Sequence, residues 1–223
     1  MSTDNSKNIL SPDVNFMNIA LLPSKTRVLI IGAGRAGFIK ARSFVKSGCM
    51  VSIISRSFSE DFDILKDFKN IEFINQNYNL DFILDKHIIV IAVGNEDLLQ
   101  TIITDCEVNN KLYLNCTDFK NGIFIVLHSG TTERINYSIN SIGGNPKTSM
   151  FLVKVMEGKL KEYDELVKFN DTLREKVRNS PHKIEIMDFA ASEDFNFFIK
   201  KGYATNILNL FYRGDNLEIK NCD

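Results

Sequence analysis

The stretch "RVLIIGAGRAGFIKARSFVKSG", Arg27 to Gly48, constrains this chain more than any other. A short aliphatic run reads as a buried strand and stops at glycines. A segment with helical periodicity follows at once, with Phe38, Ala41 and Val45 on one side. Gly32, Gly34 and Gly37 form GxGxxG between the two. In that place the first glycine permits a tight turn, the second lets backbone approach a pyrophosphate, and the third lets helix and strand pack closely. The helix N-terminus favours the phosphate charge. Glycine-rich turns also occur as plain structure. The position of this one, after a strand, before a helix and at the head of an alternating series, is what points to dinucleotide binding.

The series continues with "MVSIIS" (Met50 to Ser55), "IEFIN" (Ile71 to Asn75), "HIIVIAV" (His87 to Val93) and "LYLNC" (Leu112 to Cys116), each reading as a strand. A helix is expected near Asp61 to Phe68. Another is expected over "NEDLLQTIITDCEVNN", whose acids at the N-terminus suit the helix macrodipole. Strands alternating with helices imply a parallel sheet covered on both faces, an α/β fold of the Rossmann type. The pattern then changes. "GIFIVLHS" (Gly122 to Ser129) and "RINYSINSIGG" (Arg134 to Gly144) are separated by only "GTTE", which fits a hairpin and not a crossover helix. From Lys147 the chain reads as helical to about Tyr212, with a break at Ser180-Pro181. The expected organisation is a leader (1–24), a dinucleotide-binding domain (25–121), a β-hairpin element (122–146) and a helical C-terminal region (147–223).

With 223 residues, 44% of them hydrophobic, the chain can build a real core. A formal net charge of -1 argues against nucleic acid and anionic membrane surfaces as partners, since both call for a concentrated basic field. Cys49, Cys106, Cys116 and Cys222 lack CxxC spacing, so reduced thiols are expected. The polar start "MSTDNSKNILSPDVNF" lacks the form of a signal peptide, and no apolar run approaches the roughly 20 residues of a membrane helix. A soluble, cytoplasmic protein is expected.

The second strand ends unusually. A site for NAD commonly places Asp or Glu there to hold the ribose hydroxyls, but this chain reads Ser55-Arg56-Ser57, with Glu60 and Asp61 only later. Arg56 could accept the 2′-phosphate of NADP, stack on adenine, or be solvated. The residues by themselves leave NAD and NADP both open.

Several features together resemble the precorrin-2 dehydrogenase family, the N-terminal module of sirohaem synthases. They are "RVLIIGAGRAGFIKAR" with Lys40-Ala41 after the third glycine, "VIAVGNEDLLQ" after the fourth strand, "LYLNCTDF" as an Asn-x-x-Asp element, and the strand pair ending in "INSIGGNP" before a helix. The resemblance spans roughly Ser24 to Met156. Two departures are Leu127, where the family often has proline, and the loop "SIGGNPKTS". The resemblance implies oxidation of precorrin-2 to sirohydrochlorin with NAD, iron insertion in some members, and a homodimer whose helical tail helps enclose the tetrapyrrole. It implies that Arg35, Ala36, Ser55 and Arg56 touch the dinucleotide, with Asn95 and Asn115 at the strand ends where ligands sit, and that Asp118 is the catalytic aspartate.

Asp118 also has a plain reading, as an Asx-type cap of the "DFKNG" turn. As a general base it would take the proton lost beside the hydride. The resemblance favours catalysis. For a substrate rich in carboxylates, Gly143, Gly144, Asn145 and Lys147 at the start of a helix offer amides and a cation. Among the histidines, His87 reads as structural and His182 as solvated, which leaves His128 as the site candidate. No pair of histidines has metal-ligand spacing. The competing class is a Rossmann-type nucleotide-sensing regulatory module without catalysis. In such a module Asp118 and the hairpin have no role.

Overall fold

Strands covered on both faces need near-continuous aliphatic runs, and the structure shows how this chain uses them. The computed structural model describes residues 16–141 and 145–212. β1 (Arg27–Ile31), β2 (Met50–Ile54), β3 (Ile71–Ile74), β4 (Ile88–Ile91) and β5 (Leu112–Asn115) form one all-parallel sheet in the order β3-β2-β1-β4-β5. Val28 and Ile30 of β1 face one side; Leu29 and Ile31 face the other. The first side packs on Ala41, Phe44 and Val45 of α1 (Arg35–Lys46), and the second on Leu99, Ile102 and Cys106 of α3 (Glu96–Val108). Between β3 and β4 lies only the single turn α2 (Asp81–Leu84).

The segment expected to hold a helix near Asp61 is a 3-10 helix, Glu60–Leu65. Its Phe62 is 1% exposed and stacks edge-on against Phe38, Phe58 and Phe73. Burying that ring holds the segment close, against the α1 side of the sheet.

The chain divides into two compact units at Val126 and Leu127. In the second, β6 (His128–Thr131) pairs antiparallel with β7 (Asn136–Ile139). The ladder is shorter than the apolar pattern from Gly122 suggests. Ile123 N–H donates to Tyr113 O, while Phe124 and Val126 pack against the α1-side core, so those apolar residues serve the sheet and not the hairpin. Among the described residues the helices α4 (Pro146–Lys161), α5 (Asp164–Lys176), α6 (Lys183–Ala190), α7 (Glu193–Lys200) and α8 (Ala204–Phe211) follow. The gap between α5 and α6 contains Ser180-Pro181. Leu173, Ile186, Phe195 and Leu208 form the core of this unit.

Asp164 opens α5 and anchors the hairpin. It accepts hydrogen bonds from Thr132 Oγ1 (2.6 Å), Glu133 N (3.2 Å) and Arg134 N (3.1 Å). The Thr132 bond, aided by the two amides and the Arg134 charge, holds its carboxyl below the usual range. A depressed folded-state pKa contributes stability above the unfolded value, and that stability is lost as pH falls through the folded one. Amides of Glu133 and Arg134 are therefore expected to lose hydrogen-exchange protection at acid pH, relative to the amides of α5. In Asp164→Ala that loss should already be present at neutral pH.

Candidate active site

The glycine motif has the geometry its spacing requires. Gly32, directly after β1, has φ +106°, and a Cβ there would lie 2.3 Å from Ala92 O. A Cβ on Gly37 would lie 2.1 Å from Gly32 O, so the helix approaches the turn closer than any side chain permits. Gly34 is different: nothing lies within 4 Å of its Cβ position, leaving the backbone open to a ligand. As N-cap of α1 it supplies no side-chain acceptor, so the exposed first-turn N–H groups at Arg35 and Ala36 stay available to an anion. These features fit a pyrophosphate.

A cleft of about 250 Å³ opens beside this turn, at the C-terminal edge of the sheet where β1 lies between β2 and β4. That is the topological switch point, where ligands of open parallel sheets bind. Gly32, Ser55, Arg56 and Asn95 of the sequence candidates line it. Asn95 Oδ1 accepts from Leu98 N (2.8 Å) and so also caps α3. Gln76, Asn77 and Tyr78, which follow β3, line it too and were missed from sequence. Their signal was their place at the end of a strand next to β2, which becomes readable only once strand order is known. The Tyr78 hydroxyl donates to Asp105 Oδ2 (2.8 Å), and burial, then that bond, raises its pKa far above the usual phenol range.

One strand further along the same edge is the Asn-x-x-Asp element. Asn115 is 2% exposed. Rather than lining the cleft, its Oδ1 accepts from Thr117 N (2.9 Å) and Asp118 N (3.3 Å), which fixes the loop after β5. Asp118 is exposed; Oδ1 accepts from Lys120 N and Oδ2 from Asn121 Nδ2, both at 3.1 Å. It is therefore a turn cap, as its plain reading required. A carboxylate has about four lone-pair sites, so two hydrogen bonds leave it able to accept a proton. Nearby, Lys40 of α1 is half-buried beside Cys116; burial lowers the amine, and the same cause raises the thiol.

The remaining candidates belong to the second unit. His128 is half-buried on β6, opposite Ile139. Asn145 caps α4, its Oδ1 accepting from Thr148 N (3.1 Å), and Lys147 is exposed. Gly143 and Gly144 lie outside the described residues. His87 is structural, its Nδ1 accepting from Arg27 N (3.0 Å), and His182 sits exposed near Glu185. No group of three or more His, Cys, Asp or Glu suited to a metal ion occurs among the described residues, and no described helix is long and apolar enough to cross a membrane.

Comparison with known proteins agrees with an NAD(P)-binding fold. A family model described as "Putative NAD(P)-binding" matches residues 19–128. A protein of Methanocaldococcus jannaschii described as "Putative precorrin-2 dehydrogenase" is 26% identical over 145 residues, covering 62% of this chain and 70% of that protein. The solved structure of SirC, a precorrin-2 dehydrogenase, superposes with a TM-score of 0.62 at 14% identity, over 87% of this chain and 100% of that one; at that identity the likeness speaks for the fold. Turn, cleft and family model together define a Rossmann-type NAD(P)-binding protein. The chain is similar to a putative precorrin-2 dehydrogenase over 70% of that protein's length, and its cofactor is NAD(P).

Proposed function

We propose that this protein is a precorrin-2 dehydrogenase, which oxidises precorrin-2 to sirohydrochlorin with NAD(P). The observation that carries the reading is the open Gly34 backbone in the turn whose Gly32 lines the switch-point cleft, in a chain similar to a putative precorrin-2 dehydrogenase. The oxidation removes a hydride and a proton from the reduced macrocycle. A bound nicotinamide supplies the hydride acceptor. Asp118 takes the proton, and Asn115 positions it by holding the loop amides at Thr117 and Asp118. Lys147, His128 and the N-terminal turn of α4 at Asn145, with Gly143 and Gly144 beside it in sequence, engage substrate carboxylates in this reading. The protein acts as a homodimer, a proposal supported by Met150, Phe151 and Val155, which α4 leaves exposed. The reading is confined to dehydrogenation; His128 is the residue at which metal insertion would be tested.

The test is an anaerobic spectrophotometric assay with enzymatically generated precorrin-2 and either dinucleotide. Cofactor-dependent appearance of the sirohydrochlorin spectrum is the expected result. Dinucleotide binding with no turnover would remove the enzymatic reading and leave a nucleotide-sensing module.

A further inference from the structure

We infer that Arg56 makes this protein select NADP over NAD, by receiving the 2′-phosphate of the adenosine ribose; the inference rests on the dinucleotide reading of the cleft. In a Rossmann site the ribose 2′-oxygen falls over the end of the second strand. A carboxylate there accepts from the free hydroxyl of NAD and repels a phosphate. In this cleft Arg56 is the single charged side chain among the described lining residues.

The two acids that might have served instead are placed elsewhere. Glu60 lines a separate hollow with Phe58, Phe62 and Phe73, on the side of the sheet covered by α1, and Asp61 lies in the same 3-10 helix and does not line the cleft. What carries them off is the burial of Phe62 in the aromatic cluster, only six residues beyond Arg56. Glu72 of β3 is engaged by Ser52 Oγ at 3.3 Å and does not line the cleft.

What remains around the ribose position donates hydrogen bonds. Arg56 is exposed and makes no ion pair among the described residues, so its guanidinium is free to fork onto phosphate oxygens. Ser55 Oγ accepts from Ser57 N at 3.4 Å, which turns the chain after β2 and leaves the hydroxyl hydrogen to donate. The neutral amides of Gln76 and Asn77 complete the lining on the β3 side. An NAD hydroxyl finds no carboxylate here, whereas a phosphate dianion finds a cation and several donors.

The test is isothermal titration of the full chain with NADP+ and NAD+, and with 2′,5′-ADP and 5′-AMP, which report on the adenosine half alone. A charge-assisted phosphate contact corresponds to about 10- to 100-fold tighter binding. The expected result is that NADP+ and 2′,5′-ADP bind tighter by that factor. Arg56→Gln should bring the ratio close to one, and Arg56→Lys should keep part of it. Equal or tighter binding of NAD+, or a ratio that survives Arg56→Gln, would overturn the inference while leaving the dinucleotide site standing. Failure of all four ligands to bind would overturn the site itself and the inference with it.

Discussion

Asp118→Asn is expected to lower the turnover of precorrin-2 by about 10²- to 10⁴-fold, the range a positioned general base contributes. Dinucleotide affinity and the unfolding midpoint should stay close to those of the parent chain. The structure makes this substitution discriminating because Asp118 already has a structural task, capping the turn through Lys120 N and Asn121 Nδ2. Asparagine keeps an acceptor oxygen for the Lys120 amide, and caps about as well as aspartate. It lacks the carboxylate that the proposed step needs to take a proton. A merely structural Asp118 would leave single-turnover rates of Asp118→Asn nearly unchanged. Asp118→Ala, which removes both cap and base, should add a stability loss of about 1 kcal/mol.

Substitution in the glycine turn is expected to give the largest loss of stability. In Gly37→Ala the new Cβ would sit 2.1 Å from a backbone oxygen, that of Gly32, so α1 must move away from the turn. Gly32→Ala meets Ala92 O at 2.3 Å and must also hold φ +106°, a conformation side chains resist. Overpacking and backbone strain together come to about 3–5 kcal/mol for Gly32→Ala and about 1–3 kcal/mol for Gly37→Ala. Urea unfolding midpoints measure both. Each should also weaken dinucleotide binding, because the amides at the start of α1 shift with the helix. Gly158→Ala is the contrast: nothing lies within 4 Å of that Cβ in α4, and relief of helix-interior glycine should stabilise by roughly 0.5–1 kcal/mol. Destabilisation by Gly158→Ala equal to that by Gly37→Ala would remove close approach as the explanation.

Much of the architecture was legible because its signals are local. Alternating aliphatic runs and helical stretches marked β1 to β5, α1 and α3 within a residue or two of their ends. Glycine spacing foretold a tight turn at Gly32, where φ is +106°, and a close approach at Gly37, since both follow from a strand turning directly into a helix. The Ser180-Pro181 break likewise falls between α5 and α6. Other features depended on partners distant in sequence. The apolar stretch after Gly122 looked like part of a hairpin strand, yet Phe124 and Val126 are claimed by the α1-side core, and the ladder begins only at His128.

The candidate site divides in the same way. By itself the sequence determined the parallel α/β fold, the phosphate-binding turn and the lack of an acid at the end of β2, all of which are set by residue type and short-range spacing. Tertiary structure decided that β3 lies beside β2, which brings Gln76, Asn77 and Tyr78 to the cleft. It also decided that the aromatic cluster around Phe62 draws Glu60 away from it. The turn contacts of Asp118 and the anchoring of the hairpin by Asp164 were settled there as well. The physical reason is that a strand's period and a glycine's freedom are properties of a few bonded neighbours. Strand order, and the partner each carboxylate finds, arise only when segments tens of residues apart compete to bury their apolar surface together.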